Sequence, residues 1–270
     1  LHNTPLMRNR DALGLRTRPV ANDAAEAEIV VETHTTTTAE FDEGLRFYYA
    51  MNALYNLRGL YYLGRYFHGS GTLSYDEFFR SAARFFARQR GHRLTDFFEK
   101  SIAGLLNYEF TNSGIVGHIL LHEARAECDE LLAELIAAEG WDRDPLALAA
   151  FELDLVTRPY VYAEPARLPS HAFEAIEVEL AEEGLFVAVS DELAEAGRLI
   201  PELAPTIEAA DRLLVEHRTE RKLPFMAYAP LVHSASYCQG MLLRMREVVP
   251  AIHAVTATRS RSARALPSGA

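Results

Sequence analysis

Apolar residues recur at helical spacing through the first half of the chain and at shorter, alternating spacing in the second. Phe41, Leu45, Tyr48, Tyr49, Asn52, Tyr55, Leu60, Leu63 and Phe67 fall near one helical face, which predicts a single long helix ending at about Phe67. Thr37 and Glu40 stand at capping-box spacing and open it. His68-Gly69-Ser70-Gly71 stops it. Ser74 and Glu77 repeat the box before Phe78, Phe79, Ala82, Phe85 and Phe86. Thr95 opens a third helix to about Glu109, and Ser113 or Gly114 a fourth to about Ala138. Asp144-Pro145 begins a fifth, with proline in its first turn, and that helix stops before Arg158-Pro159.

The pattern then changes. Prolines punctuate at 165, 169, 201, 205, 224 and 230. Ile176 to Leu180 alternates as a half-buried strand does, Leu185 to Val189 reads as a second strand and Leu213 to His217 as a third. Ser236 to Val249 reads as a closing helix. Ahead of the helices, residues 7–25 read as a loop and Ile29-Val30-Val31 as a short strand. The expected fold is mainly α: a short lead-in over 1–33, a multi-helix region over 34–157, a small α+β region over 158–250 and a disordered tail over 251–270.

Composition narrows the class. The chain has 270 residues, 49% of them hydrophobic, enough to bury a core and too many for a disordered polymer. Its net charge of −11 repels phosphate backbones, so nucleic acid is not an expected partner. No apolar run reaches 18 residues, so no membrane span is expected. Arginine outnumbers lysine 25 to 2, a ratio with no physical cause on a solvated surface; it points to a GC-rich, bacterial source. Two cysteines, Cys128 and Cys238, suit free thiols in a reducing cytoplasm. The opening residues Leu1-His2-Asn3-Thr4-Pro5-Leu6 carry no signal peptide and read as the interior of a longer protein.

Candidate chemistry is sparse. His118 and His122 share a helical face beside Glu123, with Glu127 as a possible further ligand, but the set is incomplete and reads first as structural. The aromatic helix offers Asn52, Asn56 and Arg58 as polar groups that could line a cleft, although an aromatic stripe reads first as core. The acids between Glu174 and Glu195 alternate with apolar residues and read as a solvated face. Cys238, near His233, reads as a buried thiol before it reads as a nucleophile. No dinucleotide fingerprint, phosphate loop, nucleophile elbow, HExxH or CxxxCxxC is present.

One resemblance spans most of the chain. Val30-Val31-Glu32-Thr33-His34-Thr35, then Phe41-Asp42-Glu43-Gly44-Leu45-Arg46-Phe47-Tyr48-Tyr49, Tyr55-Asn56-Leu57-Arg58-Gly59-Leu60 and Leu63-Gly64-Arg65-Tyr66 resemble the segment after the barrel in cobalamin-binding radical S-adenosylmethionine enzymes. Ser74-Tyr75-Asp76-Glu77-Phe78 is similar to that family's next helix start. Leu1 to Leu6 resembles the edge of its barrel, and Pro224-Phe225-Met226 with Ser236-Tyr237-Cys238-Gln239-Gly240-Met241 the end of some members. The resemblance implies a barrel-edge segment followed by a helical cover over a substrate cleft. It implies methyl transfer or related radical chemistry on a small molecule. The 4Fe-4S cluster, S-adenosylmethionine and cobalamin would be held by upstream barrel and cobalamin-binding domains of the same protein, and none by this chain alone. Asn3, His34, Asn52 and Arg58 become the expected substrate-binding residues; no catalytic residue and no metal ligand carries over. The competing expectations are a non-catalytic helical binding module and a His-ligated helical metalloprotein.

Overall fold

A computed structural model describes residues 4–20, 27–96, 99–100, 124–158, 167–216 and 250–256. The chain opens with α1 (Pro5–Arg8), capped by the Thr4 hydroxyl, and an antiparallel pair of strands, β1 (Arg16–Val20) and β2 (Ala27–Glu32). α2 (Thr38–Met51) follows, then α3 (Tyr61–Ser70) and α4 (Tyr75–Arg88). α5 (Arg125–Glu139) and α6 (Pro145–Thr157) complete the helical part. The C-terminal part is β3 (Val178–Leu180), β4 (Leu185–Ala188), α7 (Asp191–Arg198), α8 (Ala204–Glu208), β5 (Arg212–Glu216) and β6 (Ala251–Val255). Its four strands form one antiparallel sheet in the order β3-β4-β5-β6. The described part is thus mainly helical with two small antiparallel sheets.

Local chemistry fixes several boundaries. Both predicted capping boxes form: Thr37 and Glu40 open α2, and Ser74 and Glu77 open α4, each side chain bonding the other's backbone N–H. Asp144 accepts from Leu146 N–H ahead of Pro145, and Gly140 closes α5 in the left-handed conformation that its missing Cβ allows.

α6 sits at the centre. Every residue from Ala149 to Thr157 is buried, so this helix has no solvated face. It packs against α3 on one side and α7 on another. The buried apolar cluster runs from Tyr49 through Leu63, Phe78, Leu135 and Phe151 to Val187 and Val215, so the helices and the four-stranded sheet share one core. Fully burying a Leu or Phe side chain contributes about 1.5–3 kcal/mol, and Phe151, with no exposed surface, is among the largest such groups. Gly69 permits one close approach: a Cβ there would lie 2.2 Å from the Leu199 carbonyl oxygen.

Three expectations are corrected. First, the predicted long helix is broken. α2 ends at Met51, residues Asn52–Asn56 make a π-helical turn, and α3 restarts at Tyr61. No proline causes the break; the backbone widens instead. Leu57 N–H bonds Asn52 C=O at 2.8 Å, Gly59 N–H bonds Ala53 C=O at 3.0 Å and Leu60 N–H bonds Leu54 C=O at 2.9 Å. Second, the expected loop over 7–25 takes in the end of α1 and the whole of β1. The ladder places Thr17 opposite Val30 and Arg18 opposite Ile29, and Pro19 is tolerated because β1 is an edge strand. Third, the expected tail from 251 begins with β6, which pairs Ile252 with Val215 and His253 with Leu214. The expected helices over 101–123 and 236–249, and the tail beyond 256, lie outside the described residues.

Candidate functional site

The break between α2 and α3 is where the chain concentrates unusual chemistry. Arg58 occupies the left-handed region at φ 58°, a conformation that costs a residue with a Cβ about 1–2 kcal/mol. Its guanidinium carbon lies 3.8 Å from the Tyr61 ring centroid and 5.1 Å from that of Tyr62. Its Nε is buried and donates to nothing, while the residue as a whole is half-buried. A buried donor without an acceptor costs about 1–3 kcal/mol. The aromatic faces offset part of this, at about 0.5–2 kcal/mol for a cation over a ring.

Buried groups on the helices behind hold this turn in place. Leu60, at the start of α3, has no side chain able to cap. Asp154, from α6, does so instead: its two carboxylate oxygens accept from Tyr62 N–H at 2.8 Å and Leu63 N–H at 2.9 Å. Burial pushes its carboxyl up to about 7, although the two amides and the charges of Arg58 and Arg158 pull it down. Arg158, at the end of α6, donates to the Gly59 carbonyl at 3.3 Å and makes a buried ion pair with Asp129 of α5. Burial works against the Arg158 charge, but Asp129, Cys128 and Asp154 together outweigh it, and its pKa lies above the usual value. Arg125 donates to the Leu155 and Arg158 carbonyls and closes the C-terminus of α6. Further along α6, Glu152 accepts from the backbone N–H groups of Glu174, Ala175 and Ile176 at 2.7–2.9 Å.

In front of the turn lies an aromatic ridge. Tyr55 packs on Tyr61, Tyr75 and Phe79, with ring centroids 5.0, 5.9 and 6.4 Å apart. Arg65 forks onto Glu202 at 2.9 and 2.7 Å and donates to the Tyr75 hydroxyl at 3.0 Å. Burial and the Glu202 carboxylate both push the Tyr61 phenol up, so it stays neutral. Burial would also raise Glu202, but hydrogen bonds from Arg65 and Tyr61 hold it below its ordinary value.

The four expected site residues fare differently. Asn52 and Arg58 belong to the same broken turn. Asn52 is buried, and its Oδ1 accepts from Asn56 Nδ2 at 2.5 Å, so its amide serves the π turn. His34 is exposed in the Thr33–Thr36 turn between β2 and α2. Among the described residues it shares no hydrogen bond, ion pair or ring contact with Asn52 or Arg58. Asn3 lies outside the described residues, as do His118, His122, Glu123, His233 and Cys238. Glu127 pairs with Arg93 at 2.8 Å on an exposed surface. Sequence reading missed Asp129, Glu152, Asp154 and Arg158. A signal was present for two of them: acids two residues apart inside an otherwise apolar helix require partners from elsewhere in the fold.

The described residues do not fit an iron–sulfur cluster. No group of three His, Cys, Asp or Glu among them could hold a metal ion, and burial pushes the Cys128 thiol up to about 11, away from the thiolate a cluster needs. Among the described residues no helix is long and apolar enough to cross a membrane. What the junction offers chemically is a rigid cation on an aromatic support. Asp154 is unsuited to proton transfer, because both of its oxygens face backbone amides. Searches with this chain against protein-family models, curated proteins and solved structures find no match.

Proposed function

We propose that this chain is the C-terminal region of a bacterial, cytoplasmic cobalamin-binding radical S-adenosylmethionine enzyme, where it forms a helical wall over the cleft for a small-molecule substrate. One observation carries the reading: the order of elements at the residues that bear the resemblance. β2 ends at Glu32, a threonine turn leads to the Thr37 cap, α2 carries the acidic-aromatic start, and Ser74 caps the helix that begins with Tyr75. The cluster, the S-adenosylmethionine and the cobalamin would belong to upstream domains of the same protein. They would supply the radical chemistry. This chain's residues would exclude water and stray hydrogen donors and orient the substrate. A wall for that task must be stiff, and Asp154 and Arg158 brace the α2–α3 junction from behind.

The test is to express the complete reading frame that contains this chain and purify it without oxygen. The expected result is four irons per chain, a cobalamin spectrum and reductive release of 5′-deoxyadenosine from S-adenosylmethionine, in the proportions a single 4Fe-4S cluster implies. A pure, folded product with none of the three overturns the reading and leaves a helical binding module as the better account.

A further inference from the structure

We propose that Arg58 is an anion-receiving site, which takes a carboxylate or phosphate group of a small ligand. The first support is a contrast among the arginines that are half-buried or buried. Arg18 pairs with Asp42, Arg46 with Glu99, Arg65 with Glu202, and Arg158 with Asp129. Among the described residues Arg58 has no carboxylate within ion-pair distance. Asp154 acts on it through space, but its oxygens are committed to the Tyr62 and Leu63 amides. The guanidinium is therefore held without being neutralised by a contact.

The second support is the way it is held. Its backbone sits in the left-handed region, its Nε is buried without an acceptor, and its guanidinium carbon lies over the Tyr61 ring. Each of these features costs or constrains, and none gives the cation a carboxylate. Backbone strain kept by a braced surround is the usual mark of a functional position. Here the bracing comes from the Gly59 carbonyl bond to Arg158 and from the Asp154 cap, which fix the residues just after Arg58, while the Leu57 N–H bond to Asn52 C=O fixes the one before it. A pre-oriented guanidinium on an aromatic face loses little entropy on meeting an oxyanion, and its planar fork matches two oxygens at once. The incoming group would be held by the accessible part of the fork, because Nε is closed off.

Calling the ligand the enzyme's substrate rests on the reading above; anion binding itself does not, so the two fail separately. The experiment uses the full 270-residue chain with nitrogen-15-labelled arginine, and the Arg58 Nε–Hε resonance assigned through its own backbone. It is titrated with inorganic phosphate, with succinate, and with chloride at matched ionic strength. The expected result is a saturable movement with phosphate or succinate that chloride does not reproduce, and the stronger of the two arms names the oxyanion. Calorimetric affinity for that probe should fall at least tenfold in Arg58→Lys, which keeps the charge and loses the fork. Tyr61→Leu, which removes the supporting face and leaves Arg58 in place, should weaken it less. Movement equal to that with chloride, or undiminished affinity in Arg58→Lys, overturns the proposal. If Arg58→Lys does not fold, the wild-type titration with Tyr61→Leu decides it.

Discussion

The α6 region and the β1–β2 pair both use charge, and they use it in opposite ways. In α6 the charged groups are out of water, and each holds a segment distant in sequence: Glu152 the 174–176 backbone, Asp154 the start of α3, and Arg158 both Asp129 and Gly59. On β1 and β2 the charges lie at the surface. Arg10 meets Glu28, Arg16 meets Glu32 and Arg18 meets Asp42 of α2, with the arginine side chains substantially exposed. Buried charges cannot be left unpaired, so they specify one arrangement; exposed pairs are exchangeable with water. The broken turn with Arg58 hangs from the first kind of region, which is why its geometry can be unusual and still fixed.

The sharpest way to break this contrast is to remove one partner of the buried pair. Asp129→Ala strands the Arg158 guanidinium in the core, and the expected loss is about 3–5 kcal/mol by denaturant unfolding. A loss under about 1 kcal/mol would mean that Arg158 reaches water and that the contrast is overstated. Glu152→Gln should come next. It removes the charge that three backbone amides share and turns an amide donor toward them, for an expected loss of about 1–3 kcal/mol.

Asp154 sharpens the comparison through pH. Its carboxyl titrates at about 7 in the fold against an ordinary value of 3.8. Between those values the folded protein keeps a proton that the unfolded chain has released. Stability from this group therefore falls as pH rises from about 4 to 7. Other carboxylates, such as Glu202, are depressed and act in the opposite sense, so the observable is the difference between wild type and Asp154→Asn. The wild type should lose more stability over that window than the variant. Equal slopes in the two proteins would place the Asp154 titration outside it. The smallest effect is expected at the strands: Arg16→Ala should leave the unfolding midpoint nearly unchanged, and any shift should vanish at high salt. A salt-resistant shift would show that the β1–β2 pairs behave like those of α6.

How far the sequence was legible follows the same line. Short-range chemistry was readable: the Thr37 and Ser74 boxes, the Asp144-Pro145 start and the alternation of β3, β4 and β5 all depend on neighbours within a few residues. The break at Asn52–Asn56 was not readable, because no Gly or Pro interrupts that stretch, Ala53 and Leu54 favour a helix, and the groups that brace the break come from α6 and its end, about ninety residues on. β6 was hidden for a similar reason: only its pairing with β5 separates Ala251–Val255 from the polar tail behind it. At the site, reading one aromatic helix put Asn52 and Arg58 on the same element but gave no sign of the left-handed backbone at Arg58, which no spacing rule encodes.

The Asp154 cap has a consequence for synthesis. The carboxylate that satisfies the first amides of α3 comes 92 and 91 residues after them. At about 5–20 residues per second, a ribosome needs roughly 5–20 s to make that stretch. Throughout that interval α3 has emerged without its terminal acceptor, and the apolar faces of α2, α3 and α4 wait for α6 to arrive. The N-terminal helices should therefore acquire protease resistance together, once α6 is released, and a nascent chain stopped before residue 145 should remain open to cleavage.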